Sequence, residues 1–123
     1  MSDRVIWWTL DDQRQPVPTT PVASRAERDR ADFMVAADRD LPGNLRATTV
    51  FLRHDHGNGT TAPILWETSV FGDDTRWWGY QERYTSEAEA LAGHARIVER
   101  IRETERVVAA AETEWDTIEI VGA

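Results

Sequence analysis

Two histidines flank an aspartate in the stretch RHDHGNG, and these side chains are the best suited to chemistry in the sequence. His54 and His56 lie two positions apart, so on a strand both imidazoles would point to the same side. A metal ion held there could take further ligands from Asp55, Glu67 and His94, because imidazole and carboxylate groups bind transition metals. One alternative is therefore a metal-dependent hydrolase or nuclease that uses His56, Glu67 and His94, with Asp55 as a further ligand.

The same stretch also fits the turn of an ordinary β-hairpin, and this is the structure that we predict. His54 would end a strand, and Asp55 would accept hydrogen bonds from nearby backbone amides. Gly57 and Gly59 would supply positive φ angles. We expect His94 to lie at the edge of the core with one ring nitrogen hydrogen-bonded. No metal or other cofactor is predicted.

Other arrangements of catalytic residues are missing from the sequence. It has no cysteine, which excludes disulfides, thiolate nucleophiles and cysteine-bound zinc. It contains no G-x-S-x-G motif, no P-loop and no dinucleotide-binding glycine motif. The paired aspartates lie at predicted strand ends or turns, where aspartate is favoured for its hydrogen bonds to the backbone. The sequence thus predicts a protein that is not an enzyme.

The chain is acidic, with a formal net charge of −8 over 123 residues. Nucleic-acid binding depends on cation–phosphate contacts, so this charge and the scattered arginines predict no nucleic-acid partner. All 14 basic residues are arginine, which indicates a GC-rich genome rather than a mechanism. No stretch has the pattern of a signal peptide or a membrane span, so we expect a cytoplasmic protein without membrane contact.

Stretches rich in β-branched and aromatic residues, separated by turn signals, predict an antiparallel meander of about four strands. The strongest turn signal is LPGN at residues 41 to 44. The proline-rich segment after the first stretch is predicted to be an extended connection. The four strands of the meander are predicted over residues 33–40, 45–54, 64–72 and 76–85, with a hairpin loop at about 54–63, and residues 5–10 are predicted to form a further strand.

A long C-terminal helix is the clearest element of the sequence. It is predicted over residues 87 to 111 and begins at a capping box formed by Ser86 and Glu89. Residues 115 to 121 alternate apolar and polar side chains, which predicts a short final strand or a docked tail. The apolar face of the helix is predicted to comprise Leu91, Ala95, Val98, Ile101 and Val108.

A shorter helix is predicted near the N-terminus, over residues 24 to 33. Ser24 would cap it, with Glu27 three residues later as the second member of a capping box. Combined with the strands, these helices predict one α+β domain over residues 1 to 123. Its antiparallel sheet would carry the long helix on one face and the short N-terminal helix nearby.

Six tryptophans, four of them in adjacent pairs, are the most unusual feature of the composition. Neighbouring side chains of a strand point to opposite faces, so one indole of each pair would enter the core and the other would face outward. The outward indoles either contact a partner or lie beneath a second helix, and the sequence leaves both possibilities open. The candidate interface residues are Trp7, Trp8, Trp77 and Trp78.

Between residues 49 and 94 the chain closely follows the pattern TVFL..DH, then LLWET.VFG, then RY, then EA..GH. In this pattern it resembles a family of small uncharacterised proteins from actinobacterial phages and prophages. His54 departs from that pattern, whereas His56 and His94 match it. The resemblance implies a phage or prophage accessory protein and no established activity. The matching positions are Thr49, Val50, Phe51, Leu52, Asp55, His56, Leu65, Trp66, Glu67, Thr68, Val70, Phe71, Gly72, Arg83, Tyr84, Glu89, Ala90, Gly93 and His94.

These features predict a small acidic protein without enzymatic activity that acts through contacts with a host or phage protein, or with copies of itself. The missing catalytic motifs and the outward tryptophans support this hypothesis. The metal-dependent hydrolase or nuclease is the first alternative. A virion or assembly component is the second, in which the aromatic faces would bury against identical copies in a homo-oligomer.

Overall fold

The predicted α+β architecture is confirmed by the structure, a computed structural model that describes residues 4–59 and 61–122, with side chains as far as Thr113. Four antiparallel strands form a meander in the order β3, β4, β5, β6, and one long helix packs on one face of the sheet. A two-stranded sheet and a short helix precede them. The elements are β1 (Trp8–Leu10), β2 (Pro16–Pro18), α1 (Pro21–Ala26), β3 (Met34–Leu41), β4 (Leu45–Phe51), β5 (Trp66–Gly72), β6 (Gln81–Tyr84) and α2 (Glu87–Gly122).

The central strands alternate between a face buried by α2 and an outer face, as expected for a sheet with one covered side. In β4 and β5 the register pairs Thr49 with Thr68 and Phe51 with Trp66, and all four side chains are buried. The predicted turn at residues 41 to 44 is confirmed as a short 3-10 helix between β3 and β4. The outer face of these two strands carries Arg46, Thr48, Val50, Glu67, Ser69 and Phe71.

Helix α2 starts where the sequence predicts, because the Ser86 hydroxyl accepts the Glu89 backbone N–H at 3.2 Å. Its buried face was predicted only in part. Val98 and Ile101 are buried, but Leu91 is 47% exposed and Ala95 is also exposed. The predicted final strand or docked tail at residues 115–121 is wrong, since the helix continues through them to Gly122. The residues of α2 that face the sheet are Ala90, Gly93, His94, Ile97, Val98 and Ile101.

The N-terminal helix is shorter and earlier than predicted. Thr20, rather than Ser24, caps it, and its hydroxyl accepts the Ala23 backbone N–H at 3.2 Å. Pro21 follows the cap, where the missing N–H of proline costs nothing. Ser24 is buried within the helix, and residues 31–33 form a separate 3-10 turn. The proline-rich segment, predicted as a connection, contributes β2 at the edge of the small sheet, a position that proline tolerates.

Two apolar clusters form the core on the α2 side of the sheet. The first gathers around Ile97 and Ile101, and the second around Phe51 and Trp66. The small N-terminal sheet contributes Leu10 to the second cluster, which joins it to the main body. No helix in the described part of the chain is long and apolar enough to cross a membrane.

Candidate functional site

The histidine loop is held together by Asp55, as the hairpin hypothesis predicts. The Oδ1 atom of Asp55 accepts the backbone N–H of Gly57 at 2.7 Å and that of Ile64 at 2.9 Å. Its Oδ2 atom pairs with Arg4 at 3.1 Å. Burial would raise the pKa of this carboxyl group, but the two amide hydrogen bonds and the guanidinium outweigh burial, so the pKa lies below its usual value.

The two neighbouring histidines are packed against each other and are half-buried. Their ring centroids are 4.0 Å apart, and the Nδ1 atom of His56 donates to the backbone carbonyl of His54 at 3.0 Å. Burial and the nearby His56 ring lower the pKa of His54. The N-terminal segment pairs with this loop through Trp7 and covers one side of it. Gly59 has the predicted positive φ of 83°, and Gly57 does not.

The metal candidates do not come together. Glu67 lies on the outer face of the sheet, where its carboxylate accepts from Arg83 at 2.9 Å and from Ser69 at 3.0 Å. His94 belongs to α2 and is buried against the opposite face of the sheet, where it bonds to Thr49. Among the residues that the structure describes, no three histidine, aspartate or glutamate side chains could hold one metal ion. The structure therefore does not bring His56, Glu67, His94 and Asp55 to one ion.

A row of hydrogen-bonded polar side chains instead crosses the core between the two apolar clusters. Each of the four strands of the main sheet contributes one member, and α2 contributes the fifth. His94 bonds to Asp38 through Nε2 at 2.7 Å and to Thr49 through Nδ1 at 2.7 Å. The Thr49 and Thr68 hydroxyls are 2.5 Å apart, and the Tyr84 hydroxyl donates to Thr68 at 3.1 Å. We call Asp38, His94, Thr49, Thr68 and Tyr84 the polar row.

The hydrogen bonds of the polar row all run in one direction when the imidazole is neutral. The Asp38 carboxylate only accepts, so the Nε2 atom of His94 must carry the proton and Nδ1 must accept. Thr49 therefore donates to His94, Thr68 donates to Thr49, and Tyr84 donates to Thr68. Each side-chain donor of the row thus has an acceptor.

The polar row includes the acid–imidazole–hydroxyl order of hydrolase triads, but its geometry fits a structural role. Thr49 and Thr68 are completely buried and His94 is only 5% exposed, so no substrate can reach the hydroxyls. The sequence predicts His94 at the edge of the core with one bonded nitrogen, whereas it is buried with both nitrogens bonded. Thr49 and Thr68 were missed, although each lies two positions from apolar residues of its strand (Ala47 and Phe51, Trp66 and Val70), which is a signal for a threonine on the buried face.

Only one of the four candidate interface tryptophans is largely exposed. Trp78 is 71% exposed, Trp77 is buried, and Trp7 and Trp8 are half-buried. The strand predicted over residues 76–85 begins only at Gln81. Residues 75–77 form a 3-10 turn that Asp74 caps by accepting the Arg76 backbone N–H at 3.0 Å. Trp78 then leaves the turn in an extended conformation and points its ring away from the core.

Trp78 borders a depression of about 200 Å³ at the end of β5, which Phe71 and Gly72 also line. A second depression of about 420 Å³ shares Phe71 and Gly72 and extends to Arg39 and Arg46. The Arg46 guanidinium lies 5.2 Å from the centre of the Phe71 ring. We call this continuous surface the Trp78–Arg39 groove and define it by Arg39, Arg46, Phe71, Gly72, Trp77 and Trp78.

The shape of the groove depends on Gly72, which has a φ of 144°. A Cβ atom at this position would lie 2.6 Å from the backbone oxygen of Asn44 and 2.7 Å from Leu45 Cδ2. Only glycine therefore lets β5 end against the turn that precedes β4.

The charge of the groove differs from that of the whole chain. Within the described residues, neither Arg39 nor Arg46 has an ion pair, whereas nearby Arg76 pairs with both Asp74 and Glu105. These two guanidinium groups and the Asp73 carboxylate line the second depression, where Arg46 lies over the Phe71 ring, in a chain of net charge −8. Guanidinium groups and aromatic rings are enriched at protein–protein interfaces.

The fold and the groove define a small α+β protein with a meander sheet, one long helix and an aromatic, cationic surface at one end of the sheet. Comparison with protein-family models, with curated proteins and with solved structures finds no match for this chain.

Proposed function

We propose that this chain is a small binding protein without enzymatic activity, and that the Trp78–Arg39 groove receives an acidic segment of a protein partner. The observation that carries the proposal is the 71% exposure of Trp78 beside the groove. Tryptophan and arginine are the residue types that contribute most to binding at protein interfaces. Here both types line one continuous surface.

The energy available at Trp78 is large enough to support binding. A tryptophan side chain presents at most about 250 Å² of surface, so 71% exposure leaves about 180 Å² to bury. At about 25 cal/mol per Å², complete burial would contribute about 4 kcal/mol before the costs of association. Arg39 and Arg46 would select partners with carboxylate groups and would speed their approach.

We propose the biological source of the chain from its resemblance to actinobacterial phage and prophage proteins. We place the chain in the cytoplasm of a bacterial host, as a phage-encoded accessory protein that contacts a host or phage protein. The matching pattern at His56, Glu67 and His94 supports this source. Phe71 and Gly72, which line the groove, also lie within the matching pattern.

Selection of displayed random peptides on the wild-type protein tests the proposal. We expect enriched peptides to combine acidic residues with an apolar residue. Their affinity, measured by isothermal titration calorimetry, should fall by at least about tenfold in Trp78→Ala and in Arg46→Glu, which corresponds to a loss of about 1.4 kcal/mol. Leu91→Ala is the matched control, because Leu91 is 47% exposed but lies on α2.

Two results would contradict the proposal. One is a selection that enriches no acidic sequence. The other is a set of peptides that bind Trp78→Ala and Arg46→Glu as tightly as the wild type while both variants remain folded.

A further inference from the structure

Helix α2 extends well past the sheet that it covers. Among the described side chains, Ile101 is the last that is completely buried, and the ion pair of Glu105 with Arg76 at 2.7 Å is the last ion pair that joins the helix to the body. From residue 106 to residue 113 only Val108 is half-buried, and Val107 is 56% exposed. The helical backbone continues to Gly122, so the remaining length of helix is about 25 Å at about 1.5 Å per residue.

The apolar spacing that packs α2 on the sheet continues into this extension. Within the body, Ala90, His94, Ile97 and Ile101 are buried at alternating intervals of four, three and four residues. That interval pattern is typical of a helix that packs against another element. After the sheet has ended, the sequence repeats these intervals at Thr104 and then at the apolar residues Val108, Ala111, Trp115 and Ile118.

The extension also carries most of the net negative charge of the chain. Residues 103 to 122 contain six acidic residues and one arginine, a net charge of −5, which leaves −3 of the total −8 for the rest of the chain. Glu105, Glu112 and Glu119 occupy the same flanking position in successive heptads of the sequence. In an antiparallel pair of identical helices these positions would meet their own copies, and like charges at flanking positions oppose pairing.

We propose that the α2 extension docks a basic amphipathic helix of another protein. The stripe has Glu105, Glu112 and Glu119 along one edge, which matches a helix whose apolar stripe is flanked by lysine or arginine. The inference does not depend on the Trp78–Arg39 groove, which is cationic and would select acidic segments. The chain would then carry two surfaces of opposite charge for two different partners.

Titration of the full chain with a designed peptide tests the proposal. The probe is a three-heptad helix with leucine at the core positions and lysine at the flanking positions, and the matched peptide carries glutamate in place of lysine. We expect only the lysine peptide to bind. Raising the salt from about 0.1 M to about 1 M, which shortens the screening length from about 10 Å to about 3 Å, should weaken its binding.

Val108→Asp separates a docked helix from simple charge attraction. The substitution removes an apolar contact but adds negative charge, so specific docking should weaken by at least about tenfold, whereas charge attraction alone would be kept or strengthened. Val22→Asp adds the same charge on α1, where Val22 is exposed, and should leave the affinity unchanged. Trp78→Ala should also leave it unchanged, which separates this surface from the groove.

Three outcomes would overturn the proposal. The first is no binding of the lysine peptide, and the second is equal binding of the lysine and glutamate peptides. The third is a dimer of the chain alone, seen by sedimentation, that dissociates in Val108→Asp. That result would assign the surface to a second copy of the chain.

Discussion

Replacing Thr68 with valine tests the polar row at its centre. The Thr68 hydroxyl accepts from Tyr84 at 3.1 Å and donates to Thr49 at 2.5 Å, and no part of it is exposed. Valine keeps the shape of the side chain and removes only the hydroxyl group. The substitution therefore leaves the Tyr84 O–H without its acceptor in the core.

The expected loss of stability follows from three contributions. A buried donor without an acceptor costs about 2 kcal/mol, and the lost bond to Thr49 costs about 1 kcal/mol. The added methyl group of valine returns about 0.8 kcal/mol. We expect the free energy of unfolding to fall by about 2 kcal/mol, which lowers the melting temperature by roughly 8 °C for a domain of this length.

Urea unfolding, followed by tryptophan fluorescence, measures this difference. Thr48→Val is the matched control, because Thr48 lies next to Thr49 on the outer face of β4, and we expect a change within about 0.5 kcal/mol. Tyr84→Phe added to Thr68→Val removes the orphaned donor, so the double variant should be more stable than the sum of the single effects. If Thr68→Val and Thr48→Val change the free energy of unfolding equally, the polar row makes no net contribution to stability and the inferred direction of its hydrogen bonds is wrong.

Two further predictions concern close packing and the histidine loop. A Cβ atom on Gly93 would collide with the Tyr84 hydroxyl and ring. Gly93→Ala should therefore lower the free energy of unfolding by about 2 kcal/mol despite a gain of about 1 kcal/mol in helix propensity, and equal stability by urea unfolding would refute the packing. The pKa of Asp55 is lowered in the folded state, so its contribution to stability is present above the ordinary carboxyl pKa of about 3.9 and is lost as the pH falls through the folded value. Wild-type protein should thus lose more stability than Asp55→Asn in thermal melts between about pH 5 and pH 2, and parallel curves would show that the carboxylate is not selectively stabilised.

The sequence was sufficient to predict elements whose signals are local. β-Branched and aromatic runs located β4 and β5, and Ser86 with Glu89 located the start of α2. The site required information that is not local. Trp77 and Trp78 were assigned to a strand, because the alternation rule ignores the cap that Asp74 provides for a 3-10 turn.

The polar row explains why the face of α2 was predicted incorrectly. Hydropathy favours burial of Leu91, which would contribute about 1.5–3 kcal/mol. Turning Leu91 inward would turn His94 away from Thr49 and leave the Thr49 O–H without its acceptor in the core. That buried orphan costs about 1–3 kcal/mol, and the lost bond from His94 to Asp38 costs about 1 kcal/mol more, so together they offset the gain from one leucine.

The orientation of α2 about its own axis, which buries His94 rather than Leu91, also sets which residues of the helix lie beyond the sheet without a partner. His94 and Ile101 lie seven residues apart on the buried face, and Val108 follows Ile101 at the same interval. With Leu91 turned inward instead, the face that continues past the sheet would pass through Glu105 and Glu112, and the extension would present no apolar stripe. The hydrogen bonds at His94 therefore determine both how the core packs and which surface α2 offers to another helix.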